Sequence, residues 1–271
     1  MKTASKRRGL RYYFNIYFRI IAQDIKSKLS YRSDFIISLI GMILTDAVEI
    51  LSFWLVFQNF PSVKGWNFYE MLFLYGFTLV ASTPAQCMFD NNWNLRLVVY
   101  SGDFIKYCFR PVNLFFYFMS EIFDIKGVGK LFVGLSCIVY SWNKLALPVN
   151  FKSLVLLIFG FVFASLIVIA ILNLASSACF FIMNSFFVLS LSNTLRGYAR
   201  YPITIFSGAL KFVFTFIAPI AFMAYYPSMA VLRPDNVPVL TWFTPVFGIV
   251  FFYISYKVWM KGALSYNGTG N

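Results

Sequence analysis

The chain has 271 residues, of which 60% are hydrophobic and only 12% are charged, and its mean hydropathy is +0.72. Phenylalanine alone contributes 34 residues. A soluble domain of this length has too little interior to bury that much apolar side-chain surface. The composition therefore excludes a soluble protein and indicates an integral membrane protein.

The formal net charge is +13, and a large share of the basic residues precedes the first long apolar run. These residues are Lys2, Lys6, Arg7, Arg8, Arg11, Arg19, Lys26, Lys28 and Arg32. Short cytoplasmic segments of membrane proteins are rich in Lys and Arg, and such segments attract anionic lipid headgroups. We therefore expect a cytoplasmic N-terminus in contact with membrane lipids, and no nucleic-acid partner.

One transmembrane domain is predicted over residues 1–271, with a cytoplasmic segment (1–34), a transmembrane region (35–260) and a cytoplasmic tail (261–271). Within the first segment, residues 12–29 place apolar residues on one helical face and basic or amide residues on another. This pattern predicts an amphipathic helix in the cytoplasmic interface of the membrane.

A helix needs about 20 apolar residues to cross the hydrocarbon core of a bilayer. The predicted spans are 35–57, 68–89, a third that follows a charged interfacial segment from about 113 and ends near 142, 151–181, 183–203 and 240–260. Two full spans between 183 and 225 would give seven spans and an outer C-terminus. Because Lys257 and Lys261 follow the last span, we expect six spans, a cytoplasmic C-terminus and a re-entrant segment over 204–229.

The sequence contains no histidine, which excludes catalysis and metal binding by His side chains. Residues 127–130 resemble the end of a phosphate-binding loop, but Asp124 stands where a glycine is required and Leu131 where Ser or Thr is required. We therefore expect a chain that is not an enzyme and holds no cofactor. The four scattered cysteines, Cys87, Cys108, Cys137 and Cys179, are expected to be buried thiols.

Asp46 and Glu49 lie inside the first predicted span, on one helical face. A charge near the bilayer centre costs roughly 2.5–3.5 kcal/mol on insertion scales, so such a side chain normally faces a cavity or a partner. One interpretation is a substrate pathway that tolerates or attracts cations. The other is a structural contact to Arg196, Arg200 or a neighbouring subunit.

The segment after the second span resembles the inner loop of ABC-2-type permeases, in which a Gly-acidic dipeptide opens a short helix that a proline closes. Here these residues are Gly102-Asp103 and Arg110-Pro111. The resemblance implies a coupling helix that docks in a groove of an ATPase subunit. Asp103, Lys106 and Arg110 are its expected polar anchors.

Further short motifs are similar to one ABC-2 subfamily that includes exporters of viologens and other drugs. They are Tyr31-Arg32-Ser33-Asp34-Phe35, then Ala199-Arg200-Tyr201-Pro202, Lys211, residues 217–222 with Pro219, Tyr225-Tyr226-Pro227, and the tail 266–271. The resemblance implies an all-α integral membrane protein of six transmembrane helices of the ABC-2 exporter type. It also implies re-entrant outer helices between spans 5 and 6, where Arg200, Tyr201, Pro202, Lys211 and Pro219 lie.

As a member of that family, the chain would be the permease of an exporter for a hydrophobic, cationic or lipid-like compound. A separate ATPase dimer would bind ATP and Mg, and a second permease, the same chain or a homologue, would complete the pathway. The resemblance implies the inner membrane of a bacterial cell, with both termini cytoplasmic. The alternative function is an ion-coupled secondary transporter, although no internal repeat is visible in the sequence.

Overall fold

The computed structural model describes residues 9–30, 32–182 and 185–266. Tyr31, Met183, Asn184 and the residues before Gly9 or after Tyr266 lie outside these ranges, and with them part of the motifs named above. The helices are α1 Leu10–Ser30, α2 Arg32–Asn59, α3 Phe68–Phe89, α4 Asn92–Tyr100, α5 Ile105–Cys108, α6 Leu114–Ser120, α7 Lys126–Lys144, α8 Phe151–Ser177, α9 Phe186–Gly197, α10 Gly208–Phe212, α11 Tyr225–Leu232 and α12 Thr244–Leu264. No β-strand occurs among the described residues, so the predicted all-α fold is confirmed.

Within the described ranges, four helical segments are long and apolar enough to cross a membrane. They are Ser33–Asn59, Phe68–Tyr100, Phe151–Phe180 and Val239–Leu264, which correspond to the predicted first, second, fourth and sixth spans. The predicted third span corresponds to α7, whose 19 residues extend about 28 Å at 1.5 Å per residue. Lys126, Lys130 and Lys144 lower the hydropathy of α7, although its length still suits the hydrocarbon core.

The region of the predicted fifth span is shorter than expected. Its helix, α9, has 12 residues and extends only about 18 Å. The backbone adopts an extended conformation at Tyr201, because Pro202 disfavours helical geometry in the residue before it. Short 3₁₀, α and π turns follow as far as Met223, so the predicted re-entrant segment does consist of broken helices.

Protein covers much of this irregular backbone. Every residue of α11 and of the 3₁₀ turn Ile220–Met223 is buried, and α11 packs against α8 and α3. Non-helical backbone at membrane depth is tolerated where protein covers it, because its polar groups are then kept from lipid.

Helix α3 is the centre of the packing and contacts both α7 and α8, while α12 packs along α8. The α3–α7 crossing is close because two glycines face each other there. A Cβ atom added at Gly76 would lie 2.7 Å from the carbonyl oxygen of Gly134, and one added at Gly134 would lie 2.8 Å from that of Gly76. Small residues allow membrane helices to approach in this way.

The predicted amphipathic helix is α1, and two of its side chains form hydrogen bonds with the turn before α7. The carboxylate of Asp24 accepts a hydrogen bond from the backbone N–H of Phe123 (3.0 Å), and the ammonium of Lys28 donates to the carbonyl of the same residue (2.8 Å). Asp24 and Lys28 also form an ion pair with each other at 2.8 Å. This two-point contact fixes α1 beside the start of α7.

Candidate functional site: two cavities and an aromatic platform

A polar cavity of about 450 Å³ lies among α2, α3, α7 and α9, and we call it the inner cavity. Its charged lining residues are Asp46, Glu49, Asp90, Lys130, Arg196 and Arg200. Both carboxylates that the sequence places inside the first span therefore face this cavity. The four basic and acidic residues that join them come from distant parts of the chain.

Asp46 is buried against α3, with only 5% of its surface exposed. The phenol of Tyr75 donates a hydrogen bond to its Oδ1 atom at 3.1 Å. Its second oxygen, Oδ2, has no hydrogen-bond partner in the structure. The phenol of α3 thus fixes one oxygen of a carboxylate that belongs to the cavity wall.

Glu49 forms an ion pair with Arg200, which connects α2 to the 3₁₀ turn after α9. The sequence left open whether the intramembrane carboxylates face a cavity or contact an arginine, and Glu49 does both. Arg196 is one helical turn from Arg200 and makes a different contact: its Nη2 donates to Oδ1 of Asn193 at 2.7 Å.

A second cavity of about 330 Å³ lies on the other side of this ion pair, and we call it the outer cavity. It is lined mainly by apolar residues such as Phe53, Val56 and Tyr201, and it reaches Val63 in the loop between α2 and α3. Among the described residues, Glu49 and Arg200 are the two that line both cavities. The ion pair therefore forms the wall between them.

The loop between α2 and α3 is tied to the irregular segment. The indole N–H of Trp66 donates to the hydroxyl of Thr204 (2.9 Å), and Lys64 donates to the carbonyl of Ile205 (3.0 Å). Arg233, after α11, lies 4.3 Å over the Trp66 ring and pairs with Glu70 at 3.0 Å. Sequence reasoning missed these contacts, because the pairing of charges in separate loops is set by the tertiary fold.

The residues predicted from the re-entrant motif do not form one group. Arg200 and Tyr201 line the outer cavity, and Pro202 ends the helical backbone beside them. Lys211 is exposed on α10 and lines neither of the two cavities, while Pro219 lies between the π turn and the 3₁₀ turn.

At the position of the expected coupling helix the structure has α5, which is a single turn. Gly102 precedes it with φ +82°, a backbone conformation that favours glycine. The carboxylate of Asp103 accepts a hydrogen bond from the Ser101 hydroxyl at 2.7 Å. Lys106 and Arg110 are exposed, as is Pro111. The polar residues named from the sequence thus lie on one exposed loop.

Beneath this loop lies a buried aromatic cluster, the aromatic platform: Phe104, Tyr107, Phe115, Phe118, Phe180 and Trp259. Phe104 is 5.2 Å from Phe180 in the 3₁₀ turn after α8 and 6.0 Å from Trp259 in α12, between ring centroids. Burial, and then a hydrogen bond to Glu121, raise the pKa of Tyr107 far above its ordinary value, so its phenol stays protonated. The loop is therefore joined rigidly to two membrane helices.

Sequence reasoning missed an apolar element of the same loop. Phe109 has 80% of its surface exposed and Ile105 has 46%. The expectation that all four cysteines are buried is wrong for Cys108, which is exposed beside them. The reason is that one turn of helix can bury a single face, and Phe104 and Tyr107 occupy that face. This i, i+3 aromatic pair was the signal that could have placed Phe109 outside.

Residues 42–270 match the model of a family described as ABC-2 family transporter proteins. No curated protein and no solved structure matches the chain. The matched range contains both cavities, the exposed loop around α5 and the aromatic platform beneath it. Together with the apolar spans, this match shows that the chain belongs to the ABC-2 family of transporter proteins, as a multi-pass membrane permease component.

Proposed function

We propose that the chain is the permease subunit of an ATP-driven exporter in a bacterial inner membrane, with six crossings and both termini in the cytoplasm. A separate ATPase dimer binds ATP and Mg and docks on the loop around α5. The observation that carries this proposal is the exposed loop from Gly102 to Pro111 resting on a rigid aromatic platform. Docking requires such an element, because a loose loop would absorb the motion of its partner.

The two cavities supply the proposed pathway. A substrate enters the inner cavity, passes the Glu49–Arg200 ion pair and leaves through the outer cavity. A second permease, the same chain or a homologue, lines the rest of this pathway. ATP binding favours the outward state of the pair of permeases, because nucleotide binds one state more tightly than the other.

The platform explains how movement of the ATPase reaches the membrane. Trp259 lies in α12 and Phe180 ends the helical segment that begins with α8, and both pack on Phe104 directly beside α5. A displacement of the loop therefore moves the cytoplasmic ends of these helices with it. Packed cores transmit such displacements because they have little free volume.

Affinity purification of the full chain from its native membranes in mild detergent tests the proposal. We expect a soluble protein with a Walker A motif to be recovered in stoichiometric amounts. A chain recovered alone would contradict the proposal. Transport that survives ATP depletion but collapses with the proton gradient would then favour the ion-coupled transporter.

Variants of the loop sharpen this experiment. Replacing Asp103 and Arg110 together with alanine, or Phe109 alone, is expected to reduce the recovered ATPase and the substrate-stimulated ATP hydrolysis about tenfold, since exposed anchor residues dominate interface energies. Membrane insertion is expected to be unchanged, because all three side chains are exposed. The control is the double variant Lys152→Ala/Asp235→Ala, which removes one exposed charge of each sign outside the loop. Equal recovery from loop and control variants would exclude this docking site.

A further inference from the structure

The inner cavity is lined by equal numbers of acidic and basic residues, whereas a pathway for cations would have an excess of acidic ones. Three of the six charged residues are acidic and three are basic. The Glu49–Arg200 ion pair satisfies one of each sign. Two carboxylates, Asp46 and Asp90, and two cations, Lys130 and Arg196, remain on the walls, and within the described ranges none of these four forms an ion pair.

Two oppositely charged side chains of the lining are only partly hydrogen-bonded. Asp46 on α2 has one bonded oxygen, and within the described residues its buried Oδ2 has no partner. Arg196 on α9 has one bonded Nη2, and within the same residues its buried Nε has no partner. A charged group that is incompletely hydrogen-bonded is costly, and a ligand that supplies a further partner recovers part of this cost as binding energy. The cavity lining thus contains a carboxylate on α2 and a guanidinium on α9.

The uncharged lining is mixed, which suits an amphiphilic molecule. Met42, Leu79, Leu172 and Trp93 supply apolar surface beside hydroxyl and amide side chains, and a volume of about 450 Å³ lies in the range of drug-sized ligands. A ligand with a single positive charge would satisfy Asp46 but would approach Lys130 and Arg196. A ligand with a single negative charge would face Asp46. Repulsion between like charges therefore disfavours both of these singly charged ligands.

We propose that the inner cavity selects zwitterionic amphiphiles, whose cationic group binds Asp46 and whose anionic group binds Arg196, over singly charged amphiphiles of the same size. This inference rests on the proposed function only in making the cavity the transport site. Binding and transport can be measured separately, so the two proposals can fail independently.

The test uses three dyes on one xanthene skeleton: rhodamine B, which is zwitterionic at neutral pH, its cationic ethyl ester, and anionic fluorescein. Binding to the full chain is measured by fluorescence polarisation in dodecyl maltoside, an uncharged detergent that cannot compete as a zwitterion. We expect rhodamine B to bind at least about tenfold more tightly than either relative, as one additional charge-assisted contact predicts.

Two variants test which residue binds each charged group of the dye. Arg196→Gln is expected to abolish the advantage of rhodamine B over its ester, and Asp46→Asn its advantage over fluorescein. Arg96→Gln is the matched control, because Arg96 also has a buried, unpartnered Nε atom but lies on α4 outside the cavity lining. Circular dichroism and a single symmetric gel-filtration peak check that each variant folds.

The proposal is overturned if the ester binds as tightly as rhodamine B, if no dye binds, or if folded Arg196→Gln leaves the ratio of affinities unchanged. ATP hydrolysis by the complex with its ATPase separates the two proposals. Selective binding of rhodamine B without stimulation of hydrolysis would refute export through this cavity and leave the binding site intact. Equal binding of all three dyes with stimulated hydrolysis would leave the exporter and refute the selectivity.

Discussion

Glu49 and Arg200 are separated by 151 positions in the chain and meet in the wall between the two cavities. The side chain of Glu49 is 33% exposed and that of Arg200 is 24% exposed, so the pair is neither a surface salt bridge nor fully buried. In this setting the two charges hold α2 and the end of α9 together and remain accessible to a charged substrate. An ion pair of this kind can exchange partners, whereas an apolar contact could not bind a charged group.

Removing one charge of this pair is expected to open the wall. In Glu49→Gln the guanidinium of Arg200 loses its counter-charge, so we expect faster passive dye release from proteoliposomes and higher ATP hydrolysis without substrate. The exchanged variant Glu49→Arg/Arg200→Glu is expected to restore low leakage, because the pair is re-formed with reversed polarity.

Asp34→Asn is the control for this prediction, since it also removes one carboxylate from α2 but lies exposed in the first turn of that helix. Leakage that rises equally in Asp34→Asn and Glu49→Gln would show that the ion pair is not a barrier. Failure of the exchanged variant to restore low leakage would show that the side chains act by shape and not by charge.

At the scale of elements, the α3–α7 crossing depends on the absence of two side chains. Gly76→Ala would place its Cβ atom 2.7 Å from a backbone oxygen and 2.9 Å from the Cβ atom of Cys137, neither of which can rotate away. We expect this variant to lose about 1–3 kcal/mol of stability, the range seen when a well-packed core is overfilled. The measurement is the midpoint of thermal unfolding in detergent.

Gly41→Ala is the matched control for that variant, because a Cβ atom at Gly41 of α2 has no neighbour within 4 Å. Alanine is a better helix former than glycine, so this change is expected to be neutral or slightly stabilising. Equal unfolding midpoints for the two variants would mean that α3 and α7 do not pack as closely as described.

The elements that the sequence predicted well are those with a continuous apolar run. Four predicted spans correspond to continuous helices, because length and hydropathy alone decide such cases. The predicted fifth span ended at 203, which is too late, because α9 ends at Gly197. Arg196 and Arg200 lie in an apolar part of the sequence, and Pro202 was interpreted as a kink or boundary near the end of the span. The sequence also located the one-turn helix of the cytoplasmic loop through Gly102 and Pro111, but it could not show which face the helix buries.

At the scale of the whole molecule, the chain combines a well-packed interior with a largely exposed helix α2. Only 6% of the most apolar window of α2 is buried, although Asp46 on the same helix is itself buried. Sequence reasoning singled out Asp46 and Glu49, and both line the inner cavity. It named Arg196 as a candidate contact of these carboxylates but did not identify Lys130 as a neighbour, because tertiary packing brings α7 to α2.

The proposed topology predicts which side of the membrane each loop occupies. A cysteine at the exposed Asp235, introduced in a Cys108→Ser background, should react with a membrane-impermeant maleimide applied to intact spheroplasts. Native Cys108, which is also exposed, should react only after lysis. The other three cysteines are buried and supply little background.

Seven spans would reverse the first result, because an additional crossing between 183 and 225 would place Asp235 in the cytoplasm. Labelling of the Asp235→Cys variant only after lysis would therefore exclude the six-span arrangement. Labelling of Cys108 in intact spheroplasts would instead move the ATPase-docking loop to the wrong side of the membrane.

The exposed loop around α5 and the lining of the inner cavity have no residue in common within the described chain. In the proposed exporter, mutations that alter what the cavity accepts would therefore leave the proposed ATPase-docking surface untouched. After a gene duplication, two such permeases could then diverge in cargo while sharing one ATPase. A change of cargo would require changes in a few membrane residues and no matching change in the ATPase.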